Sequence, residues 1–265
     1  MKHRPLIHMF SMTLGLTFAL WGLQFIGQPV MAASARVAPQ TAADLITVTV
    51  VLTPTKDNTL YESTTGDVSN GTGAFFFVGN TAGAAARRGL LAFAVADQVP
   101  VGATIVSATL QLQMSKTSGG AADVRLHRAL ADWGEGSSDA TANEGKGATA
   151  ASGDATWLHT FHTTALWQTP GGDFAPTATA TTTVSGVGSY RWPSSPAMVA
   201  DVQQWLDTPA TAFGWVVVGD EAANGTAKRF TARESGIVDN RPQLTVVYTI
   251  TGTASSNFYL PLIQK

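Results

Sequence analysis

The sequence predicts an all-β protein: a jelly-roll-type β-sandwich with one short helix, preceded by an N-terminal signal helix. Three observations carry this. Several short stretches alternate apolar and polar residues with period two. Glycine, proline and small polar residues separate them. One stretch after the leader has helical spacing. "DLITVTVVLT" (44–53) is β-branched, "AFFFVG" (74–79) is a short apolar run, and "RRGLLAFAV" puts Leu91, Phe93 and Val95 on one face. In "TIVSATLQLQMS" (104–115), Val106, Ala108, Leu110, Leu112 and Met114 should point inward and Ser107, Thr109, Gln111 and Gln113 outward. "ADVRLHRAL" repeats this, with Val124 and Leu126 inward and Arg125 and His127 outward. "FGWVVVGD" is apolar on both faces and suits a central strand; "QLTVVYTI" closes the domain with Leu244, Val246, Tyr248 and Ile250 on one face. The helix is "SPAMVADVQQWLDTPA" (195–210), with Pro196 in its first turn, Met198, Val202, Trp205 and Leu206 on one stripe, and Pro209 as its stop. Residues 134–156 and 168–189, rich in Gly, Ala, Ser and Thr, read as long loops.

Residues 1–33 have the order of an export signal: Lys2 and Arg4, an apolar run from Leu6 to Ile26, then small residues at Ala32, Ala33 and Ala35. An uncleaved membrane anchor is the alternative, since about 20 apolar residues can span a bilayer. Residues 34–43 form a linker, 44–251 the β domain, and 252–265 a linker with a "YLPL" tail that resembles sorting or anchoring ends of exported proteins. The expected location is secreted or at the cell surface, with no membrane contact once the signal is removed. Without residues 1–33 the chain keeps 14 basic and 18 acidic residues, which gives no electrostatic reason to bind nucleic acid. There is no cysteine, so disulfides, thiol nucleophiles and cysteine-ligated zinc are excluded.

No Gly-x-Ser-x-Gly elbow occurs. The carboxylates of the exported part include Asp57, Glu62, Asp132, Glu135, Asp139, Glu221 and Glu234, and nothing in the sequence makes two of them converge. His159 and His162 are three apart in a stretch without helical support, where they would not share a metal. Arg233 and Glu234 are expected in partly buried ion pairs with other residues, because neighbours on a strand face opposite sides. Trp157, Trp205 and Trp215 read as core. Trp133, Trp167 and Trp192 lie in or beside loops, where an exposed indole can stack on a sugar ring. Tyr190, Arg191 and Trp192 together could hold an acidic sugar by stacking and a guanidinium–carboxylate pair. Asp57, Asn58 and Glu62 offer hard oxygens for a structural calcium, although no cofactor is required.

Taken in order, "DNTLYES", "GNTAGAAARRGLLAFAV", "VPVGATIVSATLQLQ", "DWGEGSSD", "GDATW", "MVADVQQWLD", "FGWVVVGDE" and "ARESGIVDNRPQLTVVY" resemble the DNRLRE-domain proteins, related to disaggregatase-type repeats. The resemblance covers about residues 57–250. It implies an exported bacterial β-sandwich classed with carbohydrate-binding modules, some for alginate-like acidic polysaccharides. As read from this sequence, the module is expected to stand almost alone, a departure that puts a simple enzyme-targeting role in doubt. The expectation is therefore a non-enzymatic module whose partner is a polysaccharide. The alternatives are a structural or adhesive cell-envelope component without a specific soluble ligand, and a hydrolase or lyase using loop carboxylates.

Overall fold

The computed structural model describes residues 44–252. The signal, the linker before residue 44 and the tail from residue 253 lie outside the described residues. The elements run β1 (Asp44–Leu52), β2 (Lys56–Tyr61), β3 (Val68–Ser69), β4 (Phe75–Asn80), β5 (Ala86–Ala92), β6 (Thr104–Thr117) and β7 (Ala122–Arg128). After them come β8 (Ala148–Thr149), β9 (His159–Phe161), β10 (Ala165–Leu166), β11 (Ala180–Val184), β12 (Gly188–Trp192), α1 (Pro196–Asp207), β13 (Trp215–Val218), β14 (Lys228–Thr231) and β15 (Gln243–Gly252). The all-β reading with a single α-helix holds among the described residues.

Eleven strands form one antiparallel sheet, ordered β1-β15-β6-β14-β4-β5-β13-β7-β11, with β12 added to β6 and β2 to β5. The sheet curls on itself at β4. Phe75–Val78 pair with β14, and Gly79–Asn80 then pair with β5. Gly79 has φ +90° at this crossing, and a Cβ there would come within 3.0 Å of the Thr226 carbonyl oxygen, so the crossing requires glycine. One core lies between the two wings: Leu110, Leu112, Met114, Phe230, Leu244 and Val246 from one, Leu91, Val124, Leu126, Trp215 and Val217 from the other. Burial of such side chains contributes about 1.5–3 kcal/mol each. As expected, β13 is central, hydrogen-bonded to both β5 and β7.

The helix closes one end of this core. Its stripe of Met198, Val202, Trp205 and Leu206 is buried, and Trp205 meets Trp215 edge-on at 4.6 Å. Ser195 caps it, accepting from the Met198 backbone N–H at 3.0 Å. Asp201, inside the helix, accepts from Thr179 Oγ1 at 2.7 Å and Trp215 Nε1 at 2.9 Å, tying the helix to both β13 and the segment before β11.

Three details differ from the sequence reading. In β6, Ser107 pairs with Val247 but Ile105 pairs with Tyr248, so Val106 is bulged out of register. Ile105 is buried in its place and Val106 is 53% exposed. His127 is buried, because the Phe174 ring lies 5.2 Å away and its Nδ1 is 2.8 Å from the Ala175 carbonyl oxygen. The stretch 168–189 is not all loop: "ATTTV" is β11 on the edge of β7, where threonine's β-branch suits an extended chain.

Candidate functional site

"DWGEGSSD" follows β7 and crosses one end of the sheet. Trp133 is fully buried beside Leu60, Leu90, Trp157, Trp167 and Val216, and its Nε1 donates to the Phe213 carbonyl at 2.9 Å. Lys56 sits 4.5 Å over the indole and bonds Asp132 at 2.7 Å and the Trp133 carbonyl. Two residues on, Glu135 forms a two-point ion pair with Arg233, both N···O distances 2.7 Å. Gly136 has φ +74°, and a Cβ there would fall 1.4 Å from Asp154 Oδ1, which caps the Ser137 N–H. The loop is thereby anchored on the sheet at both its tryptophan and its carboxylate.

Arg233 lies just past β14, so strand alternation no longer separates it from Glu234. Their side chains approach to 2.8 Å, which corrects the expectation that each pairs only elsewhere. The single Nε hydrogen of Arg233 is directed at Glu135, so the Glu234 contact is an ion pair without a hydrogen bond, and both Glu234 oxygens lack a donor. Burial, ahead of the opposing pull of Arg233, pushes the Glu234 carboxyl up to about 7. Asp57 is wholly enclosed, and desolvation followed by repulsion from Glu234 raises its carboxyl well above the ordinary range.

The structure removes the expected aromatic platform. Trp133 and Trp192 have no exposed surface and Trp167 only 5%. Trp167 and Trp192 direct their indole N–H groups inward, to the Thr156 and Val124 carbonyls. Each plugs the interior, because a buried indole needs a partner for its N–H and here finds a carbonyl. In β12, Tyr190 is half-buried with its hydroxyl closing the turn at Ser185 and Gly186, while Arg191 is exposed. Tyr190, Arg191 and Trp192 alternate across the strand and form no common surface.

The expected calcium set does not converge either. Asn58 is fully buried, and its Oδ1 already accepts from the Thr59 and Asn70 N–H groups and from Ser69 Oγ. Asp57 accepts from the Arg233 N–H, and exposed Glu62 caps the Ala86 N–H. Among the described residues no group of three His, Asp or Glu side chains is placed to hold a metal.

A different feature has the make-up of a ligand site. A cleft of about 190 Å³ opens where β4, β5, β6 and β14 meet the loop after β7. Arg87, Lys116, Lys228 and Arg229 line it, Phe77 forms apolar floor, and no Asp or Glu side chain contributes. Among the described residues, Lys56, Arg88, Arg125, Arg128 and Arg233 have carboxylate partners, and the four cleft cations do not. Lys228 is buried and satisfied by Thr117 Oγ1 and the Gly119 and Gly120 carbonyls. Arg229 lies 3.8 Å over the Phe75 ring and donates to Ser115 Oγ at 3.0 Å. Arg87 covers Tyr61 at 4.8 Å and leaves its buried Nε without a partner. Loss of hydration lowers the affinity of Arg87, Lys228 and Arg229 for their protons, against a weaker opposing pull from Tyr61 and Glu62, from Tyr190 and Asp220, and from Glu144 respectively. No protein-family model and no curated protein matches the chain.

These cations were not singled out in the sequence. Their signal is the pair of basic doublets, Arg87-Arg88 and Lys228-Arg229, in a chain with only 13% charged residues.

Proposed function

We propose that the described domain is an exported, non-catalytic module that binds an acidic polysaccharide at or outside the cell surface. The observation that carries this is the cleft whose cations lack carboxylate partners in a chain of net negative formal charge. Guanidinium groups offer planar pairs of donors that match a carboxylate, and an exposed ammonium such as Lys116 adds a point charge. Phe77 gives the apolar side of a sugar ring a contact. The ordered motifs support placing the domain with the DNRLRE-domain proteins, in a jelly-roll-type sandwich. The role needs no cofactor and no catalytic group.

Affinity electrophoresis of the chain through gels containing a polyuronate, a sulfated polymer or a neutral glucan tests the proposal. Retardation by an acidic polymer, weakening as salt is raised, is expected. Equal mobility in all gels at high polymer concentration overturns it.

A further inference from the structure

A second cluster of charged side chains gathers around Arg233 and has no part in the role proposed above. Asp57 from β2, Glu135 from the loop after β7, and Glu234 all converge on Arg233. Asp57 Oδ2 accepts from the Arg233 backbone N–H at 2.7 Å, Glu135 takes the Nε/Nη2 edge of the guanidinium, and Glu234 Oε1 lies 2.8 Å from its Nε. Arg241, whose Nε donates to the Ser235 carbonyl at 2.9 Å, is the other cation near Glu234. Lys56, next to Asp57 in the chain, is already held by Asp132. Three carboxylates thus gather at one arginine, two of them at its guanidinium, and Glu135 takes the Nε hydrogen towards which Glu234 Oε1 also lies.

We propose that Asp57, Glu135, Arg233 and Glu234 form a proton-operated latch between the loop after β7 and the strap joining β14 to β15, closed at acidic pH and loosened at neutral pH. Glu135 is satisfied as an anion, since Arg233 gives it two hydrogen bonds and a third comes from the Asp57 N–H at 2.9 Å. Glu234 has no side-chain hydrogen-bond donor at either buried oxygen, so an ionised Glu234 places a second negative charge beside Glu135 that only the attraction of Arg233 and Arg241 offsets. A proton on Glu234 removes that repulsion and leaves Arg233 paired to Glu135 alone. The folded chain then keeps a proton at pH values where an unfolded glutamate has released it. Stability is greatest at acidic pH, falls as pH climbs from the ordinary carboxylate range towards about 7, and stays low above it. The raised carboxyl of Asp57 acts in the same direction.

Thermal unfolding of the full chain between pH 5 and pH 8 tests the latch, with Glu234→Gln as the comparison. The wild-type midpoint is expected to drop by about 2–8 °C over this range, the size of shift a latch of about 1–2 kcal/mol gives a domain this large. Glu234→Gln keeps the neutral side chain at every pH, so its midpoint should drop less and lie above wild type at pH 8. The difference between the two curves isolates Glu234 from every other titrating group. A wild-type midpoint that is level or rises with pH, or a variant with the wild-type slope, overturns the proposal. If the variant does not fold, wild-type chain carrying ¹³C at the glutamate carboxyls decides instead. One glutamate resonance should titrate near neutrality, and titration of all of them below about pH 5.5 overturns the latch.

Discussion

Glu135 and Arg233, 98 residues apart in the chain, meet through two hydrogen bonds of 2.7 Å that join the "DWGEGSSD" loop to the strap after β14. The pair is partly buried, with side chains 17% and 35% exposed. It therefore lies between surface pairs, worth up to about 1 kcal/mol, and buried ones, where removing a partner costs about 3–5. Glu135→Ala should destabilise the domain by about 2 kcal/mol in chemical denaturation. Arg233→Lys should lose part of the same amount, since an ammonium cannot fill both positions.

Trp133 should behave as a core residue. Trp133→Ala empties a fully buried site and orphans the Phe213 carbonyl, so a loss of about 3–5 kcal/mol is expected from denaturant unfolding. Trp133→Phe should cost less, retaining much of the packing but not the hydrogen bond. Its intrinsic fluorescence should be inaccessible to an aqueous quencher in the folded chain.

Asp201 is the hub that no sequence pattern marks. It lies in a helix, buried, with two neutral donors at one oxygen and Arg128 Nε 3.2 Å from the other. Asp201→Ala leaves the Trp215 indole N–H and the Thr179 hydroxyl without that acceptor, and should cost about 2–4 kcal/mol. Asp201→Asn, which keeps an acceptor oxygen, should cost less. Comparing their unfolding midpoints separates the hydrogen bonds from the packing.

Gly136→Ala should be as damaging as a core truncation. The substitution adds a Cβ against Asp154 at a positive φ, and with Asp154 displaced the Ser137 and Ala151 N–H groups lose their caps. Gly153→Ala, at φ +87° in open space, carries only the conformational cost. The difference in melting temperature between the two variants measures the steric part.

Strands were legible in the sequence wherever one face enters the core and the other meets solvent, as in 108–114 and 244–248. The bulge at Val106 was not, because period two continues through it in sequence and only pairing with β15 breaks it. β11 was missed for the opposite reason: its alternation is carried by alanine, threonine and one valine, too weak an apolar signal to separate a strand from a loop. The tryptophans were placed near loops correctly, but a loop can carry its indole inward, as Lys56 and Phe213 show for Trp133. Arg87, Lys116 and Arg229 come from three strands far apart in the chain, so their meeting is a product of topology and has no local signature.

The most direct test of the central claim is calorimetric titration of the chain with a polyuronate oligosaccharide at low salt, beside the Lys116→Ala/Arg229→Ala variant. Each lost charge-assisted contact is worth about 1.5–3 kcal/mol, so the variant should bind at least about tenfold more weakly while keeping the wild-type melting temperature within a few degrees. Undiminished binding by a folded variant, or no binding by the wild type, would contradict the account.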